Sequence, residues 1–469
     1  MKRLLLLCLA LPACVKGPNY ERPSLTGLLG GKWKHSDKAN TKAQPLPDEW
    51  WKVFGSSTLN GLVSKALSSN LELAGAQARV ETARALVGAK RSEWFPQIGS
   101  TSNINTQRLS EAGFGANLPP QFGSVTDMLR RDNYKSSLDM SYELDLWGRV
   151  KRSVESASAS ARAADEGLLT QRLMVASEVA RNYFLLRSLD AQVKVLNDTI
   201  ALREEALKLQ KSRFDGGMAN EMDVTRARAE HELARADLAA MERQRGSVEH
   251  ALAVLCGQSP SSFSVAVEAT LNSPPSLSMA VPSTLLQSRP DIRAAEAELQ
   301  AASAEIGVAE ASFFPTFKLT GSAGLESVKG TDFLNWENRV LSIGPSVTVP
   351  VLTGGKLKAN LRASKSRYDE ALAKYKQTIL VALREVEDSL LDLQSFAQQR
   401  SAIEAALKAA DETSRLARVR YDKGLASYFE VVEADRTVLA TKLSLSQLDG
   451  QRLVSSVLLA KAMGGGWKR

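Results

Sequence analysis

Few residues of this chain have side chains suited to catalysis or metal binding. The 469 residues include three histidines and three cysteines, and these are widely scattered: His35, His231, His250, Cys8, Cys14 and Cys256. Metal sites and disulfide frameworks need such residues at short, regular spacings. The sequence also has no phosphate-binding glycine loop, nucleophile elbow or carboxylate pair at a credible spacing. We therefore expect no catalytic residue, no metal and no cofactor, which argues against an enzyme.

Cys14 is a candidate for covalent modification by lipid. Residues 1–3 are positively charged after the initiator, residues 4–11 are largely apolar, and a small residue precedes Cys14. This is a signal-peptide pattern, too short to span a bilayer. It resembles a bacterial lipobox, in which Cys14 would become the acylated first residue, and Val15 in the next position implies sorting to the outer membrane. Because Pro12 is unusual at its position, cleavage without lipid attachment is the alternative.

Charge and hydropathy exclude two broad classes of protein. The net charge of +8 is spread thinly, with basic and acidic residues alternating as on the solvated faces of long helices. No basic run is interleaved with aromatic residues, so we expect no nucleic-acid binding. No segment after the signal contains the roughly 20 apolar residues of a transmembrane helix. If the protein crosses a membrane, it must do so with strands.

The chain contains two copies of one pattern. Arg213–Asp223 matches Arg420–Glu430 about 207 residues later, and Glu93–Pro96 matches Ser312–Pro315 about 219 residues later. The two pairs occur in the same order with the same kinds of segment between them. We infer a tandem duplication, in which the first copy carries about a dozen extra residues between these landmarks.

Each copy contains two predicted strands. Apolar and polar residues alternate in Tyr134–Leu146, Phe317–Leu325 and Leu341–Val351, whereas Gln97–Gln107 is predicted by analogy only. Alternation over about ten residues suits a sheet that has an apolar environment on one face and water on the other. A soluble antiparallel sheet packed on a core is the alternative.

Each copy also contains a very long helix. Residues 356–423 include no proline and no glycine. Residues 149–215 include no proline and a single glycine, Gly167. Either segment would be roughly 100 Å long as a helix. Apolar residues at three- and four-residue steps indicate a coiled-coil seam. A helix of this length indicates a rod or the wall of a tube rather than part of a compact globule.

Four strands cannot close on themselves, and an open sheet edge is not tolerated in lipid. Three identical chains would supply about twelve strands, enough for a closed sheet with a lumen. Cyclic symmetry would complete the assembly, and the sequence leaves four or five chains possible. The predicted fold class is therefore mainly α with a membrane β-barrel. It is an internally duplicated, trimeric barrel of about four strands per chain, continued by a long α-helical coiled-coil barrel.

The predicted limits follow this pattern. They are a signal peptide (1–13), a lipidated extension (14–55), a first repeat (56–256), a linker (257–280), a second repeat (281–463) and a tail (464–469). Within the repeats we predict hairpins at about 94–147 and 313–352, long helices at about 148–213 and 354–421, and returning helices at about 220–256 and 427–463.

The chain resembles the outer-membrane factors, which are the TolC-like and NodT-type lipoproteins of tripartite efflux systems. The resemblance covers nearly all of residues 14–466. Leu285–Glu296 carries the most specific motif, which continues through Ile306-Gly307 to Phe314-Pro315 and Leu319–Gly321, and Trp50–Phe54 carries another. The resemblance implies a homotrimer in the outer membrane whose helical barrel lies in the periplasm. It also implies passive export of small molecules, with a periplasmic adaptor protein and an inner-membrane pump, most commonly of the RND type, as partners.

The resemblance assigns roles to the two turns that join the helices. In the family these tips face the adaptor; the corresponding residues here are Arg213, Gly216, Gly217, Met218, Ala219, Arg420, Gly424, Leu425 and Ala426. Their glycines also suit tight chain reversals that need positive φ. Reversing the chain is therefore their minimal role.

The resemblance also implies an aperture after the second tip. Phe429, Glu430 and Glu433 lie about one helical turn apart, so a threefold ring would bring each carboxylate near its copies, and such rings select cations in other pores. Asp223 and Tyr421 match positions that hold the closed state together in TolC-like proteins. The assisting basic residue of the family corresponds to Ala426 here, so that part of the gating contact is missing.

Three alternatives remain at this point. The chain could be the outer-membrane duct of a type I protein secretion system, since drugs, metal ions and polypeptides all leave through ducts of this build. An adaptor protein would lack the full duplication and the amphipathic strands. A coiled-coil scaffold would need neither strands nor a signal peptide.

Overall fold

The computed structural model describes residues 15–25, 27–28, 33–35, 46–108, 110, 130–277 and 282–466. The predicted signal peptide and Cys14 lie outside these residues. The chain divides into two compact units. Of the described residues, one unit contains those within 15–23, 81–163 and 296–374, and the other contains those within 24–80, 164–295 and 375–466. Each unit combines segments of both repeats, so the compact units do not coincide with the repeats.

Eight helices and four strands cover most of the described chain. The helices are α1 Ser57–Ser69, α2 Leu71–Ser92, α3 Arg149–Asp215, α4 Glu221–Leu255, α5 Leu285–Ser288, α6 Pro290–Ala311, α7 Lys356–Asp422 and α8 Tyr428–Ala462. The strands are β1 Gln97–Arg108, β2 Arg130–Leu144, β3 Thr316–Ser327 and β4 Arg339–Thr348. The predicted mainly helical fold with four strands per chain is confirmed. Among the described helices, none combines the length and the apolar character needed to cross a bilayer.

The duplication is visible in helix lengths. Helices α2 and α6 have 22 residues each, α3 and α7 have 67 each, and α4 and α8 have 35 each. The extra residues of the first copy therefore lie in the segment that carries its strands.

A break at Asn70 divides the first predicted helix into α1 and α2. The Asn70 side-chain oxygen accepts hydrogen bonds from the backbone N–H groups of Glu72 and Leu73, at 2.9 and 3.1 Å, while its amide donates to the Leu255 carbonyl at 2.9 Å. Asparagine is a favoured N-cap because its side chain satisfies N–H groups that lack a helical partner. Asn70 thus begins a new helix and ties it to the end of α4.

The strands form one antiparallel sheet in the order β1-β2-β3-β4. Strands β2 and β3 join the two copies, with Leu138 opposite Ala323. Strand β4 ends at Thr348, earlier than the predicted Val351. The physical reason is Pro350, which has no N–H to donate to a sheet.

The register places apolar residues on one face of the sheet. That face carries Ile98 and Ile104 of β1, together with Tyr134, Leu138, Met140, Tyr142, Leu144, Phe317, Leu319, Leu341, Ile343 and Val347. Several are exposed, including Leu341 at 80% and Ile343 at 70%. The opposite face is polar, and there Asp139 accepts a hydrogen bond from Ser322 at 2.7 Å. A sheet with a large exposed apolar face is expected to bind lipid or protein through it.

The motifs that carried the family resemblance are structural. Trp50 and Trp51 are buried in a core with Phe54, Phe184 and Leu453. Arg289 is also buried, and it donates to Glu385 at 2.7 Å, to Asp291 at 2.7 Å and to the Ala462 carbonyl at 3.0 Å. A buried guanidinium must be paired in this way to offset its lost hydration.

Candidate functional site

The first tip joins α3 to α4 through a left-handed glycine. Gly217 has φ 73°. The N–H of Gly217 donates to the Phe214 carbonyl at 2.8 Å, and the N–H of Met218 donates to the Arg213 carbonyl at 2.7 Å. This pair of bonds is a Schellman motif, which satisfies the last carbonyl groups of a helix. Gly216 lies outside the left-handed region, so only one of the two predicted glycines needs positive φ.

The second tip repeats this geometry between α7 and α8. Gly424 has φ 71°. Its N–H donates to the Tyr421 carbonyl, and the N–H of Leu425 donates to the Arg420 carbonyl, both at 2.9 Å. The apolar residues at the two apices, Met218 and Leu425, are 77% and 67% exposed. Each tip therefore presents an exposed apolar side chain on a rigid turn, while Ala219 and Ala426 are half-buried beside them.

Arg213 connects the two tips. Its Nη2 lies 3.3 Å from Asp422 Oδ1, and its guanidinium lies 5.0 Å from the centre of the Tyr421 ring. Hydrogen bonding to Tyr421 raises the pKa of Arg213 above its usual value, since burial opposes the shift less strongly. The cation and the ring attract each other through the ring quadrupole.

Tyr421 contacts residues other than the predicted Asp223. Its hydroxyl donates to Gln210 Oε1 at 3.0 Å, and its ring lies 5.6 Å from that of the buried Tyr428. Within the described residues, Asp223 shows a capping contact in which its backbone N–H donates to Asn220 Oδ1 at 2.9 Å. The structure does not bring Asp223 and Tyr421 together within one chain, so their gating contact stays a prediction.

Each predicted aperture residue has an arginine partner. Glu430 lies 3.3 Å from Arg420, Glu433 lies 2.9 Å from Arg436, and the Phe429 ring lies 5.0 Å from the guanidinium of Arg226. The two glutamate side chains are about half exposed. The local charge is therefore more balanced than the two carboxylates alone suggest.

A buried carboxylate near this site was not found from the sequence. Glu230, whose side chain is 6% exposed, lies 3.0 Å from Arg203 Nη2 on α3 and accepts from Arg436 Nε on α8 at 2.9 Å. We call Arg203, Glu230 and Arg436 the inter-repeat clamp. Because the three residues are far apart in the sequence, no spacing motif could have revealed it.

A cavity of about 390 Å³ lies beside the inter-repeat clamp. Leu202 and Leu209 line it from the first repeat, and Val431 and Leu439 line it from the second. It is an open groove between the repeats rather than an enclosed void, since Leu202 and Leu209 are 55% and 50% exposed. The described residues contain no group of three or more His, Cys, Asp or Glu side chains that could hold a metal ion.

The chain just after Cys14 is held where strands meet helices. The N–H of Lys16 donates to the Trp147 carbonyl at 3.0 Å, and its ammonium group lies 4.8 Å from the centre of the Phe314 ring. Trp147 stacks on Phe314 at 4.8 Å, and Arg152 donates to the Lys16 carbonyl at 3.2 Å. Residue 16 therefore lies between the end of β2 and the start of α3.

Comparison with known proteins identifies the family. The model of the outer membrane efflux protein family matches residues 62–258 and 281–465. The outer membrane protein OprJ of Pseudomonas aeruginosa is 30% identical over 471 residues, covering 99% of this chain and 95% of OprJ. The toluene efflux pump outer membrane protein TtgF of Pseudomonas putida is 31% identical over 469 residues, covering 98% of this chain and 96% of TtgF.

Solved structures agree with this result. The outer-membrane channel OprN has a TM-score of 0.84 at 28% identity, covering 96% of this chain and 99% of OprN. The open state of the Neisseria gonorrhoeae MtrE outer membrane channel has a TM-score of 0.80 at 27% identity, covering 97% of this chain and 98% of MtrE. With both repeats matched by the family model and nearly the full length shared with these relatives, the chain belongs to the outer membrane efflux protein family.

Proposed function

We propose that the protein is the outer-membrane exit duct of an efflux pump, through which small molecules pass without chemical change. The observation that carries this proposal is the four-stranded sheet with one exposed apolar face and one polar face. Such a sheet suits a wall between lipid and a water-filled lumen. The relatives support the assignment, since OprJ, TtgF, OprN and MtrE are all named as outer-membrane proteins or channels.

The sheet leaves two edges to be closed. Strands β1 and β4 each pair with one neighbour in the described chain, and open edges are unstable in lipid. Three copies would join β4 of one chain to β1 of the next and close a sheet of about twelve strands. We therefore propose a homotrimer, which should migrate as an oligomer on gels before heating and as a monomer afterwards.

The tips are the proposed contact for a periplasmic adaptor, with an inner-membrane pump of the RND type behind it. Their Met218 and Leu425 side chains are exposed, and burying such apolar surface against a partner favours association. Adaptor docking would separate the repeats by weakening the Arg213–Asp422 contact.

The inter-repeat clamp takes part in the proposed gate. Ala426 stands where the family has a basic residue, so the closed state needs another cation. Arg436 supplies one, because it pairs with buried Glu230 and with the aperture residue Glu433. The neighbouring cavity leaves space for the helices to shift.

A lipid anchor on Cys14 fits the same arrangement. Lys16 is fixed beside Trp147 at the end of the strands, and tryptophan is enriched at membrane interfaces. An acyl group two residues earlier in the chain would therefore enter the membrane at the level where the sheet ends. Several acyl chains would give a firm tether at roughly 0.8 kcal/mol per buried methylene.

Single-channel recordings of the purified oligomer in planar bilayers test the duct and its aperture. The wild type should conduct, and Glu430→Ala/Glu433→Ala should lower the preference for cations because ring charges set selectivity. Glu232→Ala/Glu412→Ala is the matched control, since both glutamates are exposed and each pairs with an arginine. Unchanged selectivity in the first variant would remove these residues from the aperture, and wild type without conductance would overturn the duct.

A further inference from the structure

The first turns of α7 carry an unusual density of positive charge. Residues 356–368 contain five basic residues and no acidic residue: Lys356, Lys358, Arg362, Lys365 and Arg367. All five side chains are exposed. None of them forms an ion pair with another described residue, whereas Lys374, farther along the same helix, pairs with Glu298 at 2.7 Å. We call these five residues the α7 basic cluster.

This placement is unfavourable for the helix by itself. The N-terminal end of a helix carries a partial positive charge, so cations there are disfavoured and acidic residues are preferred. The first turn of α7 contains no acidic residue. This penalty applies to Lys356 and Lys358, which lie in the first turn, whereas Arg362, Lys365 and Arg367 lie beyond it.

The first repeat shows that the fold does not require a basic residue at three of these five positions. Helix α3 begins at Arg149 as α7 begins at Lys356, and its positions matching Arg362, Lys365 and Arg367 hold Glu155, Ser158 and Ser160.

Of the three basic residues in the first turn of α3, Lys151 matches Lys358 and is exposed, whereas Arg149 and Arg152 have structural partners. Arg149 pairs with Glu143 at 2.7 Å and with Glu93 at 3.1 Å. Arg152 donates to the carbonyl of Lys16 at 3.2 Å and pairs with Glu155 at 2.7 Å. The α7 basic cluster thus differs from its duplicate at Arg362, Lys365 and Arg367, where α3 has no basic residue.

The residues just before the cluster are apolar and exposed. Val351 and Leu352, which lie between β4 and α7, are 91% and 92% exposed. An exposed apolar segment followed directly by exposed cations is the pattern of a chain leaving the hydrocarbon layer through anionic headgroups. Lys358, Arg362 and Lys365 follow i, i+4, i+7 spacing and so share one face of α7.

We propose that the α7 basic cluster binds the anionic headgroups of phospholipids in the leaflet where the strands end. This contact would stabilise the oligomer in the membrane. The proposal rests on the proposed function, because it needs the sheet to lie in the membrane. Charge complementarity and continuity with the apolar segment favour a phospholipid over a soluble anion. Attraction of this kind weakens as salt rises.

The test measures lipid-dependent stability of the full-length oligomer in neutral detergent. Dihexanoyl-phosphatidylglycerol is titrated against dihexanoyl-phosphatidylcholine and inorganic phosphate, and the rise in the heat-dissociation midpoint gives the half-saturating concentration of each. The anionic lipid should act at the lowest concentration. In Lys358→Gln/Arg362→Gln/Lys365→Gln its binding should weaken on the order of 100-fold, and in Lys365→Gln alone about fivefold.

Lys65→Gln/Lys376→Gln/Lys408→Gln is the matched control, because it removes the same charge from exposed lysines elsewhere and should bind the anionic lipid as the wild type does. Equal binding by the cluster variant and the wild type would overturn the proposal. So would an equal effect of phosphatidylcholine or of inorganic phosphate.

Conductance in bilayers of neutral lipid distinguishes a failure of this proposal from a failure of the proposed duct function. The cluster variant should still conduct there, since its channel is intact. Loss of conductance in every form of the protein would count against the duct, whereas normal conductance with unaltered lipid binding would count against the cluster alone.

Discussion

Arg436 in the second repeat donates from Nε to Oε1 of Glu230 in the first repeat at 2.9 Å, and this contact joins α8 to α4. Glu230 is buried, and Arg203 approaches its other oxygen at 3.0 Å. A buried carboxylate between two guanidinium groups offsets its desolvation only while both partners remain in place. We therefore expect Glu230 to stabilise the packing of α4 against α3 and α8.

Replacing Glu230 by Gln should destabilise the protein by about 3 kcal/mol, because it leaves Arg203 largely buried without its counter-charge. The free energy of unfolding from denaturant titration measures this effect. The same variant should raise the open probability in bilayers. Glu232→Gln, at an exposed neighbour on the same helix, should change stability by less than about 1 kcal/mol. Equal effects of the two variants would contradict a special role for Glu230.

The tip glycines should differ in their tolerance of a side chain. Gly217→Ala and Gly424→Ala should each cost about 1–2 kcal/mol, because alanine is strained at positive φ. Gly216→Ala is the control, since that residue is not left-handed and an added Cβ would meet atoms at ordinary contact distances of 3.4 Å or more. Denaturant unfolding of the three variants measures the loss of unfolding free energy at each glycine. A larger loss for Gly216→Ala than for the other two variants would refute the prediction.

Tyr428 should make stability depend on alkaline pH. Burial, first of all, raises its pKa from 10.0 to about 12, so the folded protein holds the phenolic proton more tightly than the unfolded chain. The resulting stability is fully present below about pH 10 and is lost as pH rises towards 12, by roughly 2 kcal/mol. The difference in unfolding free energy between wild type and Tyr428→Phe should shrink across this window. A constant difference from pH 9 to 12 would contradict the shift.

Acylation at Cys14 can be tested directly. Cells grown with labelled palmitate should yield labelled wild-type protein, and Cys14→Ser should carry no label while Cys256→Ala, which alters a buried cysteine, keeps it. The membrane tether should weaken in the first variant because no acyl chain remains. Unlabelled wild-type protein would show that Cys14 is not modified.

Several features of the fold were predictable because they depend on local chemistry. Alternating residues in Tyr134–Leu146 and Leu341–Val351 determine which side of a strand is apolar, and the observed register keeps that division. The absence of interior proline allowed a 67-residue helix in each copy. Glycines 217 and 424, about 207 residues apart, end those helices in the same way because glycine tolerates positive φ.

Tertiary structure decided the contacts between distant segments. The sequence alone determined helices, strands, turns and duplication, since periodicity and backbone preference act over a few residues. It could not show that Glu230 meets Arg203 and Arg436, or that the Tyr421 hydroxyl donates to Gln210. These pairings depend on how the two copies pack, and a charged side chain becomes a structural determinant only where packing removes water from it.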